Sequence, residues 1–314
     1  MTPALGNVLS PMTPTKQRSQ KTLGRRVVRW ALTVVIVLVA LFALAVVNNN
    51  YSLSRPSRAA FNAQLDHAIE TSTAWIVAHP ENYGNSPLMF MVGDMAEMSG
   101  DPRLRDYVQG YLASKYVRIP GRPITWYFAH WADPSVPVPM ISEAGSLSLS
   151  WQERWFGYGS APDRLQLTPE DRDNLFNPTK YSWGIRLHLQ LIGLDMYRHF
   201  NGPSPTLDSV INPVAEGVAR DAFWDFRVSD SYYQRSACLL GAGRPDLVRP
   251  RWIERILDHQ NPDGTWNYCW YGWCRGILEF QLGKGDQGHT TVQGAWALYQ
   301  LKYRYSDWIN KNFQ

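Results

Sequence analysis

Residues 251–266 read RWIERILDHQNPDGTW, and this stretch decides the fold. Its apolar residues recur at i, i+3 and i+4, and a glutamine follows at i+7 on the same helix face: Ile253, Ile256, Leu257 and Gln260. Pro262 lacks the backbone N–H that would continue the helical ladder. A helix is therefore predicted that ends near Gln260.

A tight turn is predicted directly after this helix. Asn261 is a favourable first residue, Pro262 presets the second position and Gly264 closes the fourth, which is the chemistry of a type I turn. Trp266 follows the turn and can pack back beside Gln260. The stretch is therefore predicted to join two helices closely.

The spacing of Gln260, Gly264 and Trp266 resembles the QW motif of the terpenoid cyclase and protein prenyltransferase toroids, where it ties one helix end to the next helix start. Residues 288–298, GHTTVQGAWAL, look like the His-Thr opening of an inner-barrel helix in the same superfamily. Both pieces lie in about the last fifth of the chain. The resemblance implies an all-α fold of paired helices, the α/α toroid, and carries little information about activity because one fold hosts many functions.

An unbroken apolar run occupies residues 30–47, WALTVVIVLVALFALAVV. Its 18 residues contain neither a charge nor a proline, and a run of this length can cross a bilayer core as a helix. We predict a basic cytoplasmic tail over residues 1–29, a transmembrane helix that binds the lipid bilayer over 30–48, and a linker over 49–58. A cleaved signal peptide is the alternative, but the run passes into Asn48 without a small-x-small cleavage site.

The basic residues of the tail determine the predicted orientation. Residues 1–29 carry six Lys and Arg and no acid, so the N-terminus is predicted to be cytoplasmic and the main domain extracytoplasmic, or periplasmic in a Gram-negative cell. Removing these six charges from the net charge of +4 leaves −2 for the remainder. Nucleic-acid binding is not expected, because it needs a basic stripe on the folded domain.

Residues 59–314 are predicted to form one domain, since no long Gly/Ser-rich or charged linker divides them. Helical periods dominate and strand signals are nearly absent, which predicts an all-α domain. Residues 181–200 are apolar on more than one face and predict an inner, buried helix. Eight prolines interrupt residues 119–179, so this segment is predicted to be an irregular insertion with one short helix near 150–156.

The three cysteines support two hypotheses. Cys269 and Cys274 lie five residues apart in a segment placed outside the cytoplasm, where a disulfide is favoured. Cys238 lies among small and apolar residues and is predicted to be a buried thiol. Resemblance to the protein prenyltransferases would instead make Cys274 and His289 zinc ligands.

The motifs of prenyl chemistry are incomplete. The aspartate that precedes the family's zinc-binding cysteine by two residues is replaced by Gly272, or by Asn267 if Cys269 is the ligand. A catalytic zinc needs three protein ligands, so neither zinc nor another cofactor is expected. The aspartate clusters of the cyclases are also missing, and the pair Asp221 and Asp225, at i and i+4, is predicted to lie on a solvated helix face. A zinc-dependent prenyltransferase or a cyclase is therefore disfavoured.

A glycan hydrolase or lyase with an (α/α) barrel is a second possibility outside the membrane. Such an enzyme needs one protonated and one ionised carboxyl group, or a base with a charged partner. The candidate catalytic residues are Asp263, Glu279, Asp94 and His130, the last with Asp133 near it in sequence.

The preferred interpretation is a single-pass membrane-anchored toroid that binds an apolar or amphipathic ligand, or a glycan, in a helix-lined cavity, with catalysis undecided. The abundance of tryptophan and tyrosine agrees with such a cavity, because these side chains offer large amphipathic surfaces. The residues predicted to line it are Trp183, His188, Trp266, Trp270, Trp273, His289 and Trp296.

Overall fold

The computed structural model describes residues 15–267 and 287–314, with side chains from residue 27 onward. Within these ranges the chain is helical and has no strand, and an isolated bridge joins Ile141 to Leu165. The prediction of an all-α protein is confirmed for this part of the chain. The chain divides into two compact units, Met1–Val47 and Asn48–Gln314.

The first unit contains most of α1, Thr15–Asn50. The part Val27–Asn50 is long and apolar enough to cross a membrane, and it includes the span predicted over residues 30–48. A signal sequence near an N-terminus has the same length and composition. The helix is therefore a candidate membrane span.

The linker predicted over residues 49–58 is corrected at its start. Asn49 and Asn50 are the last residues of α1 and are buried in the second unit. Asn49 Nδ2 donates to Ala222 O at 2.9 Å, and Asn50 Nδ2 donates to Phe223 O at 2.8 Å. Both residues therefore belong to the folded domain, because their amides donate to last-turn carbonyls of the helix that ends at Trp224, which have no partner within that helix.

The second unit begins with three helices: α2 Arg58–Ala78, α3 Met89–Ser99 and α4 Pro102–Leu112. Asp101 caps α4, since its Oδ1 accepts from Arg103 N at 2.9 Å. Gly100 ends α3 with a φ of 67°, the left-handed conformation that favours glycine. Local sequence signals therefore place these helix ends.

The proline-rich segment over residues 119–179, all of it described, contains four helices: α5 Ile124–Ala132, α6 Glu143–Ser146, α7 Trp151–Ser160 and α8 Pro169–Phe176. The predicted short helix near 150–156 is confirmed as α7, and the prediction that the rest of the segment is irregular is corrected by the other three helices. Pro123 is the N-cap residue of α5 and Pro169 is the first residue of α8. Proline is tolerated at helix starts because the first N–H groups have no partner within the helix.

Six further helices follow in the described residues: α9 Ile185–Asn201, α10 Pro205–Trp224, α11 Asp230–Gly241, α12 Pro250–Asp258, α13 Gln287–Arg304 and α14 Ser306–Asn312. Every residue of α9 from 187 to 196 is buried. The inner helix predicted over residues 181–200 is therefore confirmed.

The odd-numbered helices from α3 to α13 pack in a closed circuit in the described part of the chain. In this circuit α3 packs on α5, α5 on α7, α7 on α9, α9 on α11 and α11 on α13, and α13 returns to α3. The helices α2, α4, α8 and α10 pack against members of the circuit. Residues of every helix in this circuit line the candidate site described below.

Residues 260–266, which we call the clasp, join three helices. Gln260 Nε2 donates to Ala68 O of α2 at 2.9 Å. Trp266 is fully buried, and its Nε1 donates to Ile256 O of α12 at 2.8 Å. On α13, Thr290 Oγ1 donates to Trp266 O at 2.6 Å. The predicted close connection between helices is confirmed, and it extends to a third helix.

Two glycines permit the close approach at the clasp. Gly264 has a φ of 87°, and a Cβ built there would lie 2.4 Å from Thr71 O of α2. A Cβ built on Gly294 of α13 would lie 2.9 Å from the Trp266 ring. Any side chain at either position would separate the helices that the clasp joins.

Asp221 and Asp225 lie in the interior, so the predicted solvated face is corrected. The Arg235 guanidinium of α11 contacts Asp221 Oδ2 at 2.9 Å and Asp225 Oδ2 at 2.8 Å, and all three side chains are buried. Burial alone raises the pKa of Asp225, but hydrogen bonds from Arg227 and the charge of Arg235 bring it down to about 2. The spacing of the two aspartates could not reveal their partner, because Arg235 is on another helix.

Candidate functional site

A cavity of about 480 Å³, which we call the ring cavity, lies inside the helical circuit. Each of the six circuit helices supplies at least one residue to its wall. Large apolar side chains form most of the surface, among them Phe90, Phe128, Trp131, Phe156, Leu189 and Met196. The size and apolar character are typical of a pocket for a small organic ligand.

One side of the ring cavity is polar because the first turns of α11 and α13 meet there. Asp230 is the first residue of α11 and is buried, and its Oδ1 lies 3.2 Å from His289 Nε2. Gln234, one turn further along α11, also lines the wall. A short histidine and carboxylate pair is therefore presented to an otherwise apolar space.

Gln293 of α13 connects these groups from behind the wall. In the amide orientation that satisfies its neighbours, Gln293 Nε2 donates to Asp230 Oδ1 at 2.7 Å. Its Oε1 accepts from His289 Nε2 at 2.9 Å and from Gln234 Nε2 at 3.1 Å. Asn85 Nδ2 lies 3.2 Å from His289 Nδ1. When the His289 ring is neutral, the acceptor at Nε2 and the donor at Nδ1 place its proton on Nε2.

A second carboxylate lines the ring cavity from α7. Glu153 Oε2 accepts from Ser150 N at 2.8 Å, and Ser150 Oγ accepts from Glu153 N at 3.3 Å, so the pair forms a capping box. Arg122 lies 3.9 Å from Glu153 Oε1 but does not line the cavity. The described wall therefore carries two carboxylates and neither lysine nor arginine.

Of the residues predicted to line a cavity, the structure places His289 in the ring cavity. Trp266 is part of the clasp, and Trp296 is buried with its Nε1 donating to Asp94 Oδ2 at 2.6 Å. Trp183 is 54% exposed and lies outside this cavity. Two of the predicted aromatic residues therefore serve the packing of the domain, and one lies on its surface.

His188 is buried in α9 but does not line the ring cavity. Gln234 of α11 lies near its ring, but neither ring nitrogen makes a well-directed hydrogen bond in the described part of the chain. Burial, assisted by the charge of Arg235, lowers the pKa of His188 to about 3. The ring is therefore neutral under ordinary conditions and belongs to the interior.

The predicted catalytic residues that the structure describes, Asp263, His130 and Asp94, do not line one cavity. Asp263 Oδ1 accepts from Thr265 N at 3.1 Å and from Thr265 Oγ1 at 2.6 Å, which stabilises the clasp turn. His130 Nδ1 lies 2.7 Å from Val136 O, and its ring stacks on Phe200. Neither residue lines the ring cavity.

Asp94 lies in a second cavity of about 410 Å³, together with Glu97 of the same helix and Asp133. Its two oxygens are occupied by Trp296 Nε1 and by Arg304. Phe90 and Trp131 line both cavities. The second cavity therefore shares part of its wall with the first, and its lining carries three acids together with Arg105.

Several predicted residues lie outside the described part of the chain: Trp270, Trp273, Cys269, Cys274 and Glu279. The disulfide and zinc hypotheses for Cys269 and Cys274 therefore stay predictions. Among the described residues no group of three or more His, Cys, Asp or Glu could hold a metal ion. Cys238 is a buried free thiol as predicted, and burial raises its pKa.

Asp230, Gln234, Gln293 and Glu153 are not among the residues predicted from the sequence. Three of them carry a weak local signal: Asp230 and Glu153 lie in first helical turns, where acids are common, and Gln293 lies one turn after His289 on the same helix. Such signals are too frequent to mark a site. These residues become a site because α7, α11 and α13 face the same cavity.

Comparison with known proteins identifies no relative of the chain. No protein-family model, curated protein or solved structure matches it. The function of the ring cavity is therefore inferred from its own geometry and chemistry.

Proposed function

We propose that the protein is a single-pass membrane-anchored α/α toroid whose ring cavity binds a small amphipathic ligand. The observation that carries this proposal is the composition of the cavity, in which apolar walls from six helices meet one polar cluster around Asp230 and His289. The closed packing circuit of α3 to α13 supports the toroid arrangement. The basic tail before the candidate span supports a cytoplasmic N-terminus.

The apolar wall suits the hydrocarbon part of such a ligand. Burial of apolar surface contributes about 25 cal/mol per Å², so a chain of several methylene groups gains most of its binding energy from this wall. Met91 and Met196 add side chains that adjust to irregular shapes. The wall therefore favours an apolar ligand body and can accept bodies of different shapes.

The polar cluster suits a cationic or hydrogen-bond-donating group. Asp230 and Glu153 place two carboxylates on a wall whose described residues include no lysine or arginine. A phosphate or diphosphate would meet repulsion there, whereas an amine or a hydroxyl group could donate to Asp230. The ligand is therefore inferred to have an amine or hydroxyl head, and prenyl diphosphates are disfavoured.

Calorimetric titration of the full chain in phosphatidylcholine nanodiscs tests this proposal, with 1-octylamine, 1-octanol and octyl phosphate as ligands and empty nanodiscs as the blank. We expect octylamine to bind most tightly and octyl phosphate most weakly. Asp230→Asn keeps the acceptor oxygen and removes the charge, and should weaken octylamine binding about tenfold, the loss expected for one charge-assisted hydrogen bond. Octanol binding should change less than about twofold, since it loses no ionic contact.

Two further variants complete the experiment. Leu189→Trp fills the ring cavity and should abolish binding of all three ligands. Asp208→Asn is the matched control, because Asp208 lies in the first turn of α10 and does not line the cavity. Equal octylamine binding by the Asp230→Asn variant and the parent chain would contradict the proposal.

A glycan hydrolase or lyase is the second candidate function, and one observation favours it. Glu97 and Asp133 line the second cavity together, beside Phe90 and Trp131, whose rings could stack on sugars. Incubation with chitin, cellulose and peptidoglycan fragments, followed by a reducing-end assay, tests this candidate. Activity that is lost in both Glu97→Gln and Asp133→Asn would support it, and activity that persists in both would place catalysis elsewhere.

A further inference from the structure

A surface depression of about 520 Å³ lies at the start of α12, away from both cavities. Three cationic side chains line it: Arg220 of α10, Arg249 just before α12, and Lys311 of α14. Its floor includes Phe223, Trp252 and Trp308. An aromatic floor with a cationic rim is a favourable surface for an anion attached to an apolar body.

Three cations line this depression against one acid, Asp246, among the described residues. Asp246 is the acid of its lining, and Arg244 engages both carboxylate oxygens, Nε to Oδ1 at 2.9 Å and Nη2 to Oδ2 at 2.8 Å. The hydrogen bond from Arg244 lowers the pKa of Asp246, and the charge of Lys311 adds to this shift, so Asp246 offsets only part of the positive charge. No described carboxylate lies within ion-pair distance of Arg220, Arg249 or Lys311.

The start of α12 adds a second, independent feature. Arg249 is the N-cap residue of this nine-residue helix, and no side chain there accepts a hydrogen bond from the first-turn N–H groups. Trp252 N already donates to Arg249 O at 3.0 Å, so the feature of this helix start is the absence of a side-chain cap. The uncapped start and the positive end of the helix dipole favour an anion at the same place as the three cations.

Arg249 is held in position by aromatic rings. Its guanidinium lies 4.8 Å from the Phe223 ring centroid and 5.3 Å from the Tyr51 ring centroid. Tyr51 follows Asn50, the last residue of the candidate span, directly in the chain. If α1 crosses a bilayer, Tyr51 and its partner Arg249 therefore lie within reach of the lipid headgroups.

From these observations we infer that the depression formed by Arg220, Arg249 and Lys311 binds the phosphate of an anionic membrane lipid. The three cations and the helix start contact the phosphate oxygens, and the aromatic floor contacts the glycerol and the first methylene groups. Trp224, which is 44% exposed beside Phe223, agrees with a position at the membrane interface. This site is independent of the ring cavity and of its ligand.

Calorimetric titration of the full chain in dodecyl maltoside micelles tests this inference, with dihexanoyl phosphatidylglycerol, dihexanoyl phosphatidylcholine and inorganic phosphate as probes. We expect the phosphatidylglycerol to bind at least about tenfold more tightly than the other two. Arg249→Gln should weaken its binding about tenfold or more, since one charge-assisted contact is lost. The basic tail is present in the variant and the parent chain, so its contribution cancels in their comparison.

Arg118→Gln is the matched control, because the Arg118 guanidinium also stacks on an aromatic ring, 4.9 Å from the Trp126 centroid, and lies outside the depression. It should leave phosphatidylglycerol affinity within about twofold. Unchanged affinity in Arg249→Gln would overturn the inference. Inorganic phosphate that binds as tightly as the lipid would also overturn it, because the site would then be a free-phosphate site.

Discussion

Asn49 Oδ1 accepts a hydrogen bond of 2.5 Å from Arg255 Nη1 in the interior of the helical domain. The Arg255 guanidinium is almost completely buried, and its Nη2 donates to Phe226 O at 2.9 Å. Trp252 Nε1 makes an equivalent bond to Asn50 Oδ1 at 3.1 Å. Two asparagines that directly follow an apolar helical run thus satisfy buried donors of α12.

Asn49→Ala should destabilise the domain by about 2–3 kcal/mol, because a buried guanidinium loses an acceptor and Ala222 O loses a donor. Urea denaturation of the full chain in detergent micelles, followed by tryptophan fluorescence, measures the change. Asn48→Ala is the control, since the Asn48 side chain is exposed and contributes only its backbone oxygen to Arg251. Equal midpoints for the two variants would mean that the Asn49 contact adds no stability.

Two glutamines, Gln260 in the clasp and Gln64 in α2, are expected to contribute very differently to the free energy of unfolding. Gln260→Ala removes hydrogen bonds to Ala68 O and Gly264 O and should lower the free energy of unfolding by about 1–2 kcal/mol. Gln64→Ala, at an exposed position of α2, should change it by less than about 0.5 kcal/mol. The same urea titration compares the two variants. A loss of unfolding free energy in Gln64→Ala alone would contradict the stabilising role of the Gln260 hydrogen bonds.

Two substitutions of Asp263 distinguish a structural role in the turn from a catalytic role. Asn at this position keeps the oxygen that accepts from Thr265 N, so Asp263→Asn should unfold within about 0.5 kcal/mol of the parent chain. Asp263→Ala removes the acceptor and should cost about 1 kcal/mol. Thermal unfolding of both variants measures this difference. If any hydrolase activity is found, its loss in a stable Asp263→Asn variant would instead make Asp263 catalytic.

The buried ring of His188 predicts a pH dependence of stability. Its folded-state pKa is about 3 and its ordinary value is 6.5, so the unfolded chain binds an extra proton between these values. Stability from this group is therefore present above pH 6.5 and is lost as the pH falls toward 3. His188→Leu should gain about 2 kcal/mol relative to the parent chain on going from pH 7 to pH 5. Parallel stability curves for the two proteins over that interval would exclude this role for His188.

The clasp and the helix ends were predictable because their causes are local. Pro262 fixes its own φ, Gly264 tolerates a φ of 87°, and the Asp101 side chain accepts from Arg103 N, so the turn and the cap followed from residue type alone. The prolines of residues 119–179 misled the prediction for a related reason. A proline is compatible with a helix that ends before it and with a helix that starts at it. Pro123 and Pro169 lie at the starts of α5 and α8.

The apolar run of α1, the helical periods and the turn at residues 261–264 were determined by the sequence itself, since each depends on neighbours along the chain. The partners of Asp221, Asn49 and Asp230 were decided only by the tertiary structure. Arg235, Arg255 and His289 lie on other helices, and their contacts arise where those helices pack. The ring cavity has the same origin, because no single helix carries enough of its wall to mark it.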